Sequence, residues 1–273
     1  VNNLRQILVS QGSTAQIIAK IETKAAIEPE TLKEIVKAAD GVMAARGDMA
    51  VETSAEIVPI VEREIIRLCR KYGKLSIVAT QMMASMVDSP EPTRAEVSDV
   101  ATAAILGTDV VMLSDETANG NYPVETVKMM ADTVRYTQSR WPMNDMPIEE
   151  GEANRRRNAI AHAAVEVAER VDADLIIAET KSGATAARIA ALRPELPIIA
   201  VTPSPRVAQQ LALSYATRSY VRDDEEHAGV NVAKELLTTG KYSSNGRLVV
   251  VVVSGRQPGA TGGTDTLRVR VIE

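Results

Sequence analysis

A chain of 273 residues, of which 45% are hydrophobic and 25% charged, has the size and composition of a soluble globular protein with one large domain or two ordinary ones. The formal net charge of -5 argues against a nucleic-acid partner, and the sequence has no apolar run of the ~20 residues that cross a bilayer, so we expect no membrane partner. Cys69 is the single cysteine, which excludes an intramolecular disulfide and a cysteine-rich metal site and fits a reducing cytoplasm.

The first half of the chain alternates between short strands rich in Val and Ile and amphipathic helices. We predict four strands, at Ile17–Ile21, Val42–Ala45, Ser76–Ala79 and Val110–Leu113. The predicted helices span 3–10, 29–39, 55–72, 94–106 and 124–139. This alternation is typical of βαβ units in a parallel sheet with right-handed crossovers.

A composition change separates this region from a second α/β region. Residues 142–153 are rich in Pro, Met and acidic residues, and we interpret them as a linker between a domain at 1–141 and a domain at 154–273. In the second domain we predict helices at 158–171, 186–192, 205–214 and 230–237, and strands at 175–178, 198–201, 218–221, 248–253 and 267–272. The strand Leu248–Val253 is one leucine followed by five valines, which predicts a central strand buried on both faces.

Each predicted strand of the first domain ends in polar or charged residues. The first ends at Lys20 and Glu22, which share a face because residues two apart in a strand point the same way. The others end at 46–48, 80–81 and 114–116. Ordinary ion pairs and capped loops can explain any one of these ends. The carboxyl ends of parallel strands form the ligand face of such folds, however, so we expect one shared site.

The residue types at these ends favour metal-assisted chemistry on a small anion. Glu22 and Asp48, without His or Cys, favour Mg²⁺ or Mn²⁺ over zinc and leave positions for water and substrate. Gly47 lets backbone N–H groups approach an anion, and Thr80 can donate to the same anion. Lys20 supplies a positive charge for a phosphoryl group or an enolate. The set implies a small, anionic, metal-chelating substrate such as a 2-oxo acid or its enol phosphate.

The same residues stand in longer stretches that resemble the pyruvate kinase family. The matching stretches are 18–22 (IAKIE), 40–48 (DGVMAARGD), 79–82 (ATQM), 92–101 (PTRAEVSDVA) and 112–118 (MLSDETA). Further on, 191–194, 197–202 and 255–259 are similar to the family's regulatory domain. The resemblance implies half of a (β/α)8 TIM-type barrel, with about four parallel strands, followed by a separate α/β sandwich domain that binds an allosteric effector.

The resemblance also implies a role for each residue. Glu22 and Asp48 are implied as ligands of Mg²⁺ or Mn²⁺, and Lys20 and Thr80 as catalytic residues. Lys20, Gly47, Asp48 and Thr80 are implied to bind phosphoenolpyruvate or pyruvate. The implied reaction, the last step of glycolysis, moves the phosphoryl group of phosphoenolpyruvate to ADP and yields ATP and pyruvate. The family is usually tetrameric.

The resemblance covers only the last four strands of the family's barrel. It leaves out the part that carries the family's phosphate-binding arginine, its K⁺ ligands and most of the ADP pocket. We therefore expect this chain to be a fragment of a longer enzyme and to be inactive alone. Asp115 stands where the family has Gly and adds a carboxylate near the site.

A second candidate site joins a strand end to a helix start at Thr180–Thr185. Backbone N–H groups at a helix N-terminus, helped by hydroxyls, bind anions, although an N-cap turn explains the same residues. The resemblance favours a phosphate pocket for an allosteric sugar phosphate or nucleotide, with Lys181 as its cation and the loop at 255–264 as its cover. Its residues are Thr180, Lys181, Ser182, Gly183 and Thr185.

Two other functional classes fit some of these residues. A metal-dependent aldolase or lyase that acts through a pyruvate enolate would use Glu22 and Asp48 but would not need Lys20. A non-catalytic protein that senses a phosphorylated metabolite through Thr180–Thr185 would need no metal site in the first domain.

Overall fold

The structure is a computed structural model that describes residues 1–141, 155–243, 246–255 and 264–273. The chain divides into two compact units, Val1–Asn144 and Asp145–Glu273. The predicted linker at 142–153 lies outside the described residues, as does most of the predicted cover loop at 255–264. Within the described ranges, we find no helix with the length and apolar character that a membrane crossing requires.

The first unit contains a parallel sheet with the strand order β1-β2-β3-β4. Its strands are β1 (Ile18–Ile21), β2 (Gly41–Ala45), β3 (Leu75–Ala79) and β4 (Val110–Val111). Its helices are α1 (Asn2–Ser10), α2 (Pro29–Ala38), α3 (Arg46–Glu52), α4 (Val58–Tyr72), α5 (Arg94–Leu106), α6 (Asp115–Ala118) and α7 (Pro123–Arg140). The predicted fold of this region, four parallel strands of a partial barrel, is confirmed.

Two elements differ from the prediction in ways that matter for the site. Arg46–Glu52 forms α3 directly after β2, where we expected only a strand end. Met49 of this helix is fully buried in the core, and that burial outweighs the low helix propensity of Gly47. β4 is two residues long, shorter than the predicted strand Val110–Leu113, and it pairs with β3 through Val110 and Val111.

Aspartates at three helix-to-strand joins perform one structural task. Asp40 Oδ2 accepts a hydrogen bond from Ile17 N at 2.7 Å, next to the start of β1. Asp109 Oδ2 accepts one from Ser76 N at 3.0 Å in β3, and Asp174 Oδ2 accepts one from Val249 N at 2.7 Å. In each case the carboxylate satisfies a backbone N–H at the beginning of the neighbouring strand, which ties adjacent strands together at their amino ends.

The second unit is a five-stranded mixed sheet with the order β7-β6-β5-β8-β9, in which β9 runs antiparallel to β8. Its strands are β5 (Leu175–Glu179), β6 (Ile198–Thr202), β7 (Thr217–Val221), β8 (Leu248–Gly255) and β9 (Thr264–Ile272). Its α-helices are α8 (Arg155–Arg170), α9 (Ala184–Ala191), α10 (Pro205–Gln210) and α11 (Ala228–Thr238).

Helices cover both faces of this second sheet. One face packs against α11 in a core cluster that includes Ile177, Val250 and Leu236. Ile176 and Val251 point to the opposite face and are fully buried, and α8 and α9 contact the same strands. The predicted α/β sandwich is therefore confirmed, and β8 is the interior, buried strand that the valine run predicts.

The start of α5 depends on one carboxylate. Thr93 is the N-cap, and its hydroxyl accepts a hydrogen bond from Glu96 N. The Glu96 carboxylate in turn accepts hydrogen bonds from the backbone N–H and hydroxyl of both Ser85 and Thr93. Burial opposes ionisation of Glu96, but these hydrogen bonds outweigh it and lower its pKa.

We predict that Glu96→Gln lowers the free energy of unfolding by about 1–2 kcal/mol at pH 7. A lowered carboxyl pKa stabilises the fold above the ordinary value of 4.5, and this stabilisation is lost as the pH falls through the folded-state pKa. The difference between wild type and variant, measured by urea unfolding, should therefore shrink below pH 4.5. Glu125→Gln, in the first turn of α7, is the control. A difference that stays constant with pH would contradict this role of Glu96.

Candidate active site

The carboxyl ends of β1 and β2 bring three charges together. Lys20 Nζ lies 2.7 Å from Glu22 Oε2 and 3.9 Å from Asp48 Oδ2. β1 pairs with β2 in parallel, with Lys20 opposite Met43, so the residues that follow the two strands are neighbours. Asp48 lies in the first turn of α3. Two carboxylates thus converge on a single ammonium group, which stands where a metal cation would be held.

The carboxylates of this cluster stabilise the charged form of Lys20. Its hydrogen-bonding contact with Glu22 and the charge of Glu22 raise the pKa of Lys20, and the charge of Asp48 adds to the effect. Glu22 Oε2 is buried, and apart from Lys20 the described residues offer it no hydrogen-bond donor. A buried carboxylate oxygen with so few donors is costly, and a bound cation is one of the arrangements that offsets this cost.

Thr80 joins the end of β3 to the start of α3. Its Oγ1 accepts a hydrogen bond from Gly47 N at 3.0 Å. A Cβ added at Gly47 would meet only the Thr80 side chain, at 3.6 Å from Oγ1 and 3.9 Å from Cβ. The absence of a side chain at Gly47 therefore leaves a small cradle beside the Thr80 hydroxyl and next to Asp48.

The donor set fits a hard divalent cation. Among the described residues there is no group of three or more His, Cys, Asp or Glu side chains that could hold a metal. Mg²⁺, however, commonly uses one or two carboxylates and completes its shell with water and substrate oxygens. Glu22 and Asp48 already converge on one positive charge, and in the part of the chain that the structure describes Glu22 Oε2 has no donor besides Lys20. Mg²⁺ or Mn²⁺ therefore suits these two residues.

The two carboxylates that follow β4 have structural roles. Glu116 is buried, and its two carboxylate oxygens accept hydrogen bonds from Met83 N and Ser114 N. Asp115 points to solvent and accepts a hydrogen bond from Asn119 Nδ2 at 3.2 Å. For these two residues, ordinary hydrogen bonding of a capped loop is the correct interpretation.

Sequence reasoning missed a charge network next to Gly47, in which the Arg46 and Glu62 side chains are largely buried and Asp99 is partly exposed. Arg46 Nη1 lies 3.2 Å from Glu62 Oε2 and 2.6 Å from Asp99 Oδ2. The partners are 16 and 53 residues away, so neither strand periodicity nor local spacing could pair them. The sequence does contain one indication of this network. Glu62 stands among the mostly apolar buried positions of α4, such as Ile65 and Ile66.

In the second unit, Thr180–Thr185 borders a cavity of about 390 Å³ at the carboxyl ends of β5 and β6. Thr180 and Thr185 are both buried, and Gly183, with φ +81°, is the N-cap of α9. Lys181, the predicted phosphate-binding cation, forms an ion pair with Asp224. The other charged residues around the cavity are Arg157, Glu179, Arg188, Arg222, Asp223, Glu225, Glu226, Arg268 and Arg270.

Comparison with known proteins identifies relatives for both units. Residues 1–127 match the family model described as "Pyruvate kinase, barrel domain", and residues 158–270 match "Pyruvate kinase, alpha/beta domain". The chain is 39% identical to "Pyruvate kinase 2" of Synechocystis sp. over 281 residues, which cover 100% of this chain and 46% of that protein.

Two further relatives agree with this result. A "Pyruvate kinase" of Agrobacterium vitis is 43% identical over 265 residues, which cover 94% of this chain and 54% of that protein. A "Pyruvate kinase" of Clostridium acetobutylicum is 37% identical over 278 residues, 99% of this chain and 58% of that protein. The chain thus spans about half the length of the curated relatives it matches.

The different surroundings of two glycines predict different costs of an added methyl group. Gly47→Ala should leave the free energy of unfolding unchanged or raise it by up to about 1 kcal/mol, because the methyl group meets only the Thr80 side chain at ordinary van der Waals distance and alanine favours helix. Gly41→Ala places its Cβ 2.8 Å from Ile18 Cδ1 and Leu75 Cβ and should cost about 1–3 kcal/mol. Urea unfolding of both variants measures these changes. If Gly47→Ala lowers the free energy of unfolding as much as Gly41→Ala does, the space beside Gly47 is closed.

Proposed function

Because this chain belongs to the pyruvate kinase family, we propose that its first unit binds phosphoenolpyruvate and pyruvate and takes part in Mg²⁺-dependent phosphoryl transfer to ADP, the last step of glycolysis. The observation that carries the proposal is the convergence of Glu22 and Asp48 on Lys20 beside the cradle formed by Gly47 and Thr80. Family membership favours phosphoryl transfer over a lyase reaction and over a binding protein without a metal site.

The cradle suits the carboxylate of the substrate. The Thr80 hydroxyl accepts from Gly47 N, so its own proton remains available for donation to a carboxylate oxygen. The missing side chain at Gly47 allows the substrate to approach the backbone closely. The substrate's position next to Asp48 would let it complete the shell of a divalent ion held by Asp48 and Glu22.

Lys20 has the charge and position to assist phosphoryl transfer. The ordinary lysine pKa of 10.5 already keeps the ammonium group positive at neutral pH, and Glu22 raises this pKa further. That charge would offset the negative charge of the phosphoryl group while its bond to the enolpyruvate oxygen breaks and its bond to the β-phosphate oxygen of ADP forms. Enolpyruvate then takes up a proton at its methylene carbon and becomes pyruvate. When bound, Mg²⁺ adds charge neutralisation at the enolate and phosphoryl oxygens.

We further propose that this chain alone does not turn over phosphoenolpyruvate. β1 and β4 each have one strand neighbour in the described sheet, so both edges have unpaired backbone groups. The chain supplies no residue that we assign to K⁺, and the tetramer implied by the resemblance stays a prediction. Turnover of phosphoenolpyruvate by the pure monomeric chain at about 1–10³ s⁻¹, the usual range of enzymes, would refute this part of the proposal.

A Mn²⁺ titration followed by electron paramagnetic resonance tests the metal and substrate site. We expect one Mn²⁺ ion to bind and oxalate, a mimic of enolpyruvate, to tighten its binding. Asp48→Asn should weaken Mn²⁺ binding by about tenfold or more, because it removes one of two anionic ligands. Glu52→Gln, at the exposed end of α3, removes the same charge away from the cradle and is the matched control.

Two results would contradict the metal-ligand assignment. If Mn²⁺ does not bind to the folded chain, or if Asp48→Asn behaves like Glu52→Gln, the assignment of Glu22 and Asp48 as metal ligands is wrong. Circular dichroism and urea unfolding of each variant show whether a variant that no longer binds Mn²⁺ is still folded.

For the second unit we propose a binding site for the phosphate of an allosteric effector at Thr180, Lys181, Ser182, Gly183 and Thr185. The Thr180 side chain is buried and lines the cavity. The N-terminus of α9 adds backbone N–H groups and a partial positive charge. The cavity volume of about 390 Å³ is within the range of small-molecule sites.

The ion pair between Lys181 and Asp224 predicts that substitutions of its two residues change phosphate affinity in opposite directions. Lys181→Met should weaken binding of inorganic phosphate by about tenfold, whereas Asp224→Asn should strengthen it several-fold, because Lys181 then no longer has to exchange one anion for another. Calorimetric titration with inorganic phosphate measures both changes, with Asp172→Asn as the control. Equal weakening by Lys181→Met and Asp224→Asn would mean that the ion pair only supports the loop.

A further inference from the structure

The backbone at Thr80 adopts a conformation that threonine rarely takes. Thr80 has φ +71° and the next residue, Gln81, has φ +55°. They are the only two consecutive residues other than glycine with positive φ among the described residues. A left-handed conformation costs about 1–3 kcal/mol for such a residue, and a β-branched side chain is especially uncommon there. Other contacts must hold this segment in place.

Arg46 provides those contacts. Its Nη2 donates to Thr80 O at 2.7 Å, and its Nε donates to Ala79 O at 3.2 Å. These two carbonyl groups belong to the peptides before and after the Thr80 Cα atom. One planar guanidinium therefore fixes both peptides that define φ and ψ of Thr80, which a single point charge cannot do.

Arg46 is itself held by carboxylates from two helices. Glu62 of α4 and Asp99 of α5 both bind Nη1, at 3.2 and 2.6 Å. The side chains of Arg46 and Glu62 are only 13% and 6% exposed. Burial raises the pKa of Glu62, the charge of Asp99 raises it further, and the Arg46 charge opposes both effects. Such buried pairs often stabilise a fold no better than apolar residues would, so a geometric role accounts better for this network.

We propose that Arg46 is a positioning residue, which holds Thr80 in the left-handed conformation that presents its hydroxyl to Gly47 and to the substrate carboxylate. This inference rests on the proposed function, because only a bound substrate gives the Thr80 hydroxyl a ligand. Arg46 begins α3 and directly precedes Gly47, so one residue couples the end of β3 to the wall of the cradle. Glu62 and Asp99 keep the guanidinium in the plane that this task needs.

Arg46→Lys is the variant that tests the geometry, because it keeps the charge and loses the planar fork. We expect Mn²⁺ binding without oxalate to change less than twofold, while the tightening by oxalate falls about tenfold. Thr80→Val should cause a similar loss. In the Thr80→Val background, Arg46→Lys should have almost no further effect on oxalate, because the hydroxyl that it positions is absent.

A purely structural role gives a different pattern. Arg46→Lys would then lower oxalate affinity by the same factor with or without the Thr80 hydroxyl, and this additivity would overturn the proposal. Arg67→Lys, in the exposed ion pair of Arg67 with Glu64, is the matched control and should change neither quantity. If Arg46→Lys does not fold, Asp99→Asn removes one anchor of the guanidinium and should show a smaller loss with the same dependence on Thr80.

A second measurement separates this inference from the proposed function. The ¹³Cα and ¹³Cβ chemical shifts of Thr80 report its backbone conformation without any ligand. Arg46→Lys should move them away from left-handed values, and Arg67→Lys should not. Unchanged Thr80 shifts in Arg46→Lys would overturn the positioning role even if oxalate binds to the wild type. Wild-type protein that fails to bind oxalate, with shifted Thr80 signals in Arg46→Lys, would instead overturn the proposed function and, with it, the substrate part of this inference.

Discussion

Parallel pairing of β1, β2 and β3 places the carboxyl ends of three strands side by side, and the candidate site depends on this alignment. Lys20 pairs in register with Met43, and Ala45 with Ala79, so the residues that follow each strand meet. A slip of one residue would turn Lys20 to the other face of the sheet. The aspartates at the helix-to-strand joins oppose such a slip, because each binds the start of a neighbouring strand.

Two charge clusters of the first unit differ in how exposed their side chains are. Lys20, Glu22 and Asp48 form an ion-pair cluster in which the side chains of Lys20 and Asp48 are more than half exposed, so these ion pairs could open for the metal ion and substrate that we propose. The cluster of Arg46, Glu62 and Asp99 lies deeper, and its hydrogen bonds also fix the backbone around Thr80. Ready exchange of partners suits the first cluster for binding, and a fixed geometry suits the second for positioning.

The second unit resembles the first in where its candidate site lies and in how an aspartate ties its strands together. Its cavity also lies at the carboxyl ends of parallel strands, and Asp174 ties β8 to the join before β5 as Asp40 and Asp109 do in the first unit. Its loop differs in one respect, because the cation Lys181 already has an anionic partner in Asp224. An effector phosphate would therefore compete with a carboxylate of the protein, which makes its binding sensitive to charge.

Local patterns in the sequence were sufficient for the sequence order of the strands and of all described α-helices except α3 and α6, for the parallel first sheet and for the interior position of β8. They also selected Lys20, Glu22, Asp48 and Thr80 as candidates, because these residues follow recognisable strands and stand in motifs that resemble one family, and the structure brings Lys20, Glu22 and Asp48 together. Only the tertiary structure revealed α3, the contacts of Arg46 and the left-handed conformation of Thr80. These features depend on burial and charge pairing between residues up to 53 positions apart, and such contacts outweigh the local preferences that a sequence pattern records.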